Sequence, residues 1–137
     1  MLQLNPYLSF NGTCREAMEF YKQALGGELT LSTIGESPAK DQFPAEKHGW
    51  VMHASISKDG TVLMMASDKM DPGELIMGNN NWLSLNCTSE AEINTHFANL
   101  SAGGKVIMPL ATQFWGAIFG MCTDKFGMHW MLNFDKK

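Results

Sequence analysis

The chain has little of what most nucleotide- and metal-handling enzymes display. No G-x-S-x-G elbow, phosphate-cradling glycine loop or dinucleotide fingerprint occurs in its 137 residues. Three cysteines, Cys14, Cys87 and Cys122, stand far apart with no C-x-x-C pair, so a zinc knuckle or a redox dithiol is not expected and the thiols are read as buried. Ten basic against fourteen acidic residues give a net charge of -4, with no Lys or Arg stripe to follow a phosphate backbone. Nucleic acid is therefore an unexpected partner. No stretch of some 18 apolar residues is present, and the start lacks the charged and apolar regions of a leader, which predicts a soluble, cytoplasmic protein without a membrane partner.

What is present is a repeated pattern. The closing stretch from Gln113 to Phe134 reads as two apolar, aromatic-rich strands around an Asp124-Lys125-Phe126-Gly127 turn. Trp50 to Met65 reads the same way around Asp59-Gly60. Leu8-Ser9-Phe10-Asn11 has its echo in Leu83-Ser84-Leu85-Asn86, and Gly26-Gly27 in Gly103-Gly104. Between these landmarks, Ala17, Met18, Tyr21 and Leu25 recur at helical spacing over 14–25, with Thr13 and Glu16 placed for a capping box and the glycines to stop the helix. A second helix is expected from about Ser89 to Leu100. Residues 28–34 and 105–109 read as strands, 35–49 as a long loop and 69–80 as a polar joint. Each half thus reads β-α-β-β-β, giving an α+β class with modules 1–68 and 81–137.

The segments Asn5-Pro6-Tyr7-Leu8-Ser9-Phe10-Asn11-Gly12, Glu16-Ala17-Met18-Glu19-Phe20-Tyr21 with Gly26-Gly27, Trp115-Gly116, and Asp124-Lys125-Phe126-Gly127-Met128-His129-Trp130 together resemble the vicinal oxygen chelate superfamily. That superfamily includes glyoxalase I, bleomycin-resistance and extradiol dioxygenase proteins, and within it the chain resembles the PhnB-like branch. The resemblance implies two βαβββ modules forming a half-open mixed β-barrel with helices on the outer face, usually in a homodimer. Metal-using members carry His or Gln early in each module's first strand and Glu on the fourth. Here the early positions fall on Pro6 or Tyr7 and on Asn81 or Trp82, and the fourth-strand positions on Met64 and Met131. Thioether is a poor ligand for a hard or borderline divalent ion, so no inherited metal and no cofactor are expected. A new ion site around His53 and His129, with Glu36 or Glu46 from the loop, is the alternative.

Strand alternation assigns the lining of a concave face. Leu8, Phe10, Leu83, Leu85, Trp130, Leu132 and Phe134 are expected to pack on the helices. Tyr7, Ser9, Asn11, His53, Ser55, Met64, Trp82, Ser84, Asn86, His129, Met131 and Asn133 are then expected to face a ligand. Trp50 and Trp115 either stack on a planar ligand or plug the ends of the barrel or the dimer seam. His53 and His129 are either acid-base candidates or ordinary hydrogen-bonded lining residues. His48 and His96 are expected at the surface. Some members of the branch have been labelled demethylubiquinone methyltransferases, but no glycine-rich loop here would hold S-adenosylmethionine. Three functions remain: binding or sequestering a small organic molecule without metal; a metal-dependent or acid-base lyase, isomerase or dioxygenase-type enzyme; and a structural or regulatory dimer with a vestigial cavity.

Overall fold

The computed structural model describes residues 2–71 and 73–136, so Pro72 of the polar joint lies outside the described residues. Strand β1 (Tyr7–Phe10) is followed by helix α1 (Cys14–Leu25) and strands β2 (Glu28–Thr33), β3 (Val51–Lys58) and β4 (Thr61–Asp68). The pattern then repeats as β5 (Leu83–Asn86), α2 (Glu90–Ser101), β6 (Lys105–Thr112), β7 (Ala117–Thr123) and β8 (His129–Asp135). The strands form two four-stranded sheets of identical topology, ordered β1-β4-β3-β2 and β5-β8-β7-β6. In each, the first strand runs parallel to the fourth and the other neighbours are antiparallel. The class is α+β, built of two βαβββ modules. By chain contacts it divides into compact units Met1–Ile76 and Met77–Lys137.

Helix α1 forms where the sequence pattern predicts it. It buries Cys14, Ala17, Met18, Tyr21, Ala24 and Leu25 along one stripe and rests on β2, β3 and β4. Gly26 ends it with φ 84° and hydrogen-bonds back to the Lys22 carbonyl. The start differs from the expected capping box, because Thr13 makes no side-chain cap bond. The buried carboxylate of Asp68, at the end of β4, takes that place: Oδ1 accepts from the Gly12 and Cys14 N–H at 2.8 and 3.0 Å, and Oδ2 accepts from the Val51 N–H at 2.8 Å. A full negative charge at a helix start is a stronger acceptor than a threonine hydroxyl. In the second unit α2 has an ordinary cap, with Ser89 Oγ accepting from the Glu92 N–H at 3.0 Å. Helix α2 rests on β6, β7 and β8.

The two closing hairpins are not alike. Asp59 and Gly60, with φ 53° and 80°, make a two-residue turn. The second hairpin turns through five residues, Asp124–Met128. There the Asp124 carboxylate accepts from the N–H groups of Phe126 and Met128 and from the Trp130 indole at 2.8, 3.1 and 2.8 Å. The first hairpin also carries a bulge, with Ile56 opposite Met64 but Ser57 opposite Val62.

Residues 35–49 form a loop of short 3-10 turns. His48, expected at the surface, is half-buried and holds the loop together, its Nε2 lying 2.8 Å from the Lys40 carbonyl and 3.1 Å from that of Phe43. His96 on α2 is half-buried too, with Nδ1 shielded from solvent. Cys14, Cys87 and Cys122 are buried free thiols. Among the described residues no helix is long and apolar enough to cross a membrane.

Candidate functional site

Each sheet turns one face to its helix and leaves the other open, and the register says which residues share a face. In the first unit the helix side takes Leu8, Phe10, Ala54, Ile56 and Ala66. The open side carries rows that cross all four strands. Tyr7 stands opposite Met65, Met65 opposite Ser55, and Ser55 opposite Thr30. Ser9 stands opposite Ser67, and His53 opposite Ser32. This face is rich in hydroxyls. Thr30 Oγ1 and Ser55 Oγ are 3.0 Å apart, and the Tyr7 hydroxyl is 3.3 Å from His53 Nδ1.

Met64 is a correction. It was expected on the open face as the counterpart of Met131, yet it is 2% exposed and lies opposite Ile56 on the helix side. The bulged Leu63 shifts the alternation by one residue, which exchanges the faces of everything beyond it. Register also supplies the real counterpart. Met131 is opposite Ser84, whose equivalent Ser9 is opposite Ser67, so Ser67 matches Met131. Met65, Ser67, Thr30 and Ser32 were not singled out from the sequence, since only the pairing brings them beside Tyr7 and His53.

In the second unit Trp130, Leu132, Gly120 and Cys122 face the helix. A Cβ on Gly120 would come within 2.9 Å of the Phe97 ring of α2, which shows how closely that helix approaches. On the open side His129 is opposite Thr123, Met131 lies between Ser84 and Met121, and Asn133 lies between Asn86 and Phe119. The Trp82 and His129 rings are stacked, with centroids 4.9 Å apart and planes tilted by 31°. Thr123 Oγ1 is 2.9 Å from His129 Nδ1. Two neighbours thus fix the His129 ring and leave Nε2 for other partners. Trp115 is 51% exposed in the β6–β7 turn, its ring 6.0 Å from Phe119.

Two other candidates are placed differently from the strand rows. Trp50 covers the β1–α1 turn, close enough that a Cβ on Gly12 would sit 3.3 Å from its ring, and the Lys47 ammonium lies 4.7 Å from its centroid. It closes the end of the sheet and does not join the rows beside Tyr7. Asn11 lies one residue beyond β1 and is exposed.

The donor set can be tested against a divalent ion. The rows hold hydroxyl, amide, thioether and imidazole, and the charged residues on these faces stand at their margins, Glu28 and Lys105 on the edge strands β2 and β6 and Asp135 at the end of β8. Glu36 is occupied at the start of a 3-10 turn, where Oε1 accepts from the Thr33 N–H and hydroxyl, each at 2.9 Å. These bonds hold its carboxyl below the usual range. Among the described residues no three His, Cys, Asp or Glu side chains gather closely enough to hold a metal ion. The residues present do not fit the ion that metal-using members employ.

The thiols offer no nucleophile. Burial, with the Asp68 charge adding to it, pushes Cys14 up to about 12, and burial pushes Cys87 and Cys122 up to about 11. A separate groove of about 680 Å³ runs along the end of α1 and the start of β2, walled by Glu19, Lys22, Gln23, Gly27, Glu28 and Leu29. Its walls carry no aromatic ring, histidine or cysteine.

Two βαβββ modules, each with a helix on one face of a mixed sheet and a histidine on the other, define a glyoxalase-like protein. The chain belongs to the Glyoxalase/Bleomycin resistance protein/Dioxygenase superfamily, whose model matches residues 3–132. It is 36% identical to protein YjdN of Escherichia coli over 99% of this chain and 97% of that protein. Among solved structures it is similar to protein PA1353 from Pseudomonas aeruginosa, at 45% identity and a TM-score of 0.83 over 98% of both chains. It also resembles the PhnB protein from Bacillus cereus, at 26% identity and a TM-score of 0.76 over 97% of this chain and 99% of that one. The PhnB-like likeness seen in the sequence is thereby supported.

Proposed function

We propose that the protein binds a small organic molecule on the open faces of its sheets by hydrogen bonding and stacking, without the metal used elsewhere in the superfamily. The observation that carries this reading is the composition of those faces. Hydroxyl, amide, imidazole, thioether and aromatic groups line the strand rows, and carboxylates are kept out of the middle of them. Convergent polar groups set among apolar ones are what a small-molecule site requires. Bleomycin-resistance proteins, named in the family's description, are the model for such a role: the ligand is held and no bond is made or broken. The exposed apolar residues Val106 and Ile107 on β6, at 45% and 47%, and Phe114 in the following turn, at 97%, support a homodimer.

The test is mass spectrometry and metal analysis of protein purified without chelator. An organic molecule released on denaturation, with divalent metal well below one equivalent, is the expected result. A stoichiometric ion lost in His53→Ala or His129→Ala would overturn the metal-free reading and favour an enzyme. Absence of any ligand, with no compound from a metabolite library raising Tm, would leave a structural dimer.

A further inference from the structure

The two open faces differ chemically, and the difference points to what the second one takes. In the first unit the rows are mostly hydroxyl: Tyr7, Ser9, Thr30, Ser32, Ser55 and Ser67. In the second, the middle row is Met131 and Met121 side by side, extended by Met108 opposite Met121 on β6. Met131 and Met121 are half-buried and Met108 is 41% exposed, so this thioether floor keeps apolar surface uncovered. Polar groups lie at its two ends. At one end stands His129, pinned by Thr123 and stacked on Trp82; at the other stands Asn133, beside Asn86 and Phe119.

We propose that this face binds an uncharged, planar, two-ring conjugated molecule, laid flat on Met121 and Met131 with hydrogen-bonding groups at its long ends. The inference rests on the small-molecule reading above and names the ligand class for it. Length comes from strand geometry: His129 and Asn133 are four residues apart on β8, about 13–14 Å, and one strand spacing of about 4.8 Å separates Met131 from Met121. That footprint matches two fused or linked rings lying along the strands. Sulfur next to an aromatic face is favourable, and flexible thioethers adapt to a ring's outline. The middle of the face carries no charge to complement, and the fixed imidazole presents Nε2 as a single directional donor or acceptor. A puckered aliphatic molecule of equal size would meet fewer of these atoms.

The experiment titrates the intact protein with 6-hydroxy-2-naphthamide, which has a hydrogen-bonding group at each long end, and with its fully saturated counterpart, 6-hydroxydecahydronaphthalene-2-carboxamide, following backbone amide shifts by NMR. The planar probe should bind at least tenfold more tightly and shift residues of β5, β7 and β8. Met131→Lys should weaken it at least tenfold, and the milder Met131→Thr should weaken it several-fold if the lysine variant fails to fold. Equal affinity for the two probes overturns the proposal, as does a loss produced by Met65→Lys on the first sheet in place of Met131→Lys. If neither probe binds while a co-purified molecule is found, the ligand class is wrong and the binding reading stands. If sedimentation shows that a second copy of the chain covers this face and Met131→Lys yields monomers, the face is an interface and the proposal falls.

Discussion

Asp68 carries the sharpest stability prediction. Its carboxylate is 1% exposed and accepts three backbone N–H bonds, from the β1–α1 turn at Gly12, from the first residue of α1 at Cys14, and from the first residue of β3 at Val51. One side chain therefore joins three pieces of the first unit. Asp68→Asn keeps an oxygen for Gly12 and Cys14 but sets an amide N–H₂ against the Val51 N–H. That loses one charge-assisted bond and leaves a buried donor unpaired, a cost of about 2 kcal/mol. Asp68→Ala strands all three donors and removes the anion from the helix start. Relief of the carboxylate's own desolvation offsets part of this, so about 3 kcal/mol is expected. Against a typical total of about 5–15 kcal/mol, either loss is large. Urea unfolding should show the midpoint falling in the order wild type, Asn, Ala, and exchange of the Gly12, Cys14 and Val51 amides should speed up together. Asp71→Asn, which removes only the charge of an exposed side chain paired with Lys69, should leave the midpoint in place. An Asn variant as stable as wild type would refute the assignment of Asp68 as the tie.

Three further outcomes follow from the geometry. Gly104→Ala should cost about 2–3 kcal/mol, because the new Cβ would run into the Thr123 carbonyl oxygen and come within 2.8 Å of the Asp124 carbonyl carbon; a Tm within 2 °C of wild type, by calorimetry, would contradict it. Thr123→Val removes the partner of His129 Nδ1 at a cost of about 1 kcal/mol, and should alter the ring-nitrogen tautomer balance seen by NMR; an unchanged balance would mean that the 2.9 Å contact does not fix the ring. Stability should fall as pH rises above about 9, since the unfolded thiols ionise there while folded Cys14 stays protonated to about 12 and Cys87 and Cys122 to about 11. A folded pKa above the unfolded one gives stability that is complete below the lower value and lost above it. Denaturation between pH 8 and 11 should therefore show a shallower fall in a Cys14→Ala variant, and equal slopes would exclude the thiol.

The elements were legible in the sequence because local chemistry fixes them. The α1 stripe, the Gly26 stop and the Asp59-Gly60 turn each depend on residues a few positions apart, and the repeated order of strand and helix follows from them. Long-range partners were not legible. Thr13 and Glu16 have the spacing of a capping box, but a carboxylate 54 residues from Cys14 takes the Cys14 N–H instead. Nothing in the neighbourhood of Thr13 announces Asp68.

Facial assignments show the same division at finer grain. Counting by twos from Tyr7, from Trp82 and from His129 gives the observed faces, because β1, β5 and the β7–β8 pair run in unbroken register. Equating Gly60 with Gly127 does not, since a two-residue turn followed by a bulge is matched there to a five-residue turn with none. One extra residue at Leu63 moves Met64 to the core and leaves Met65 and Ser67 on the open side. The consequence reaches the chemistry. The position matching Met131 is then a serine, and the two fourth strands offer a hydroxyl and a thioether in place of two thioethers. Neither replaces a carboxylate as a divalent-metal ligand. The hydroxyl, however, belongs to a face of hydroxyls and the thioether to a face of thioethers. Correcting one residue thus turns a symmetric pair of faces into two chemically distinct ones.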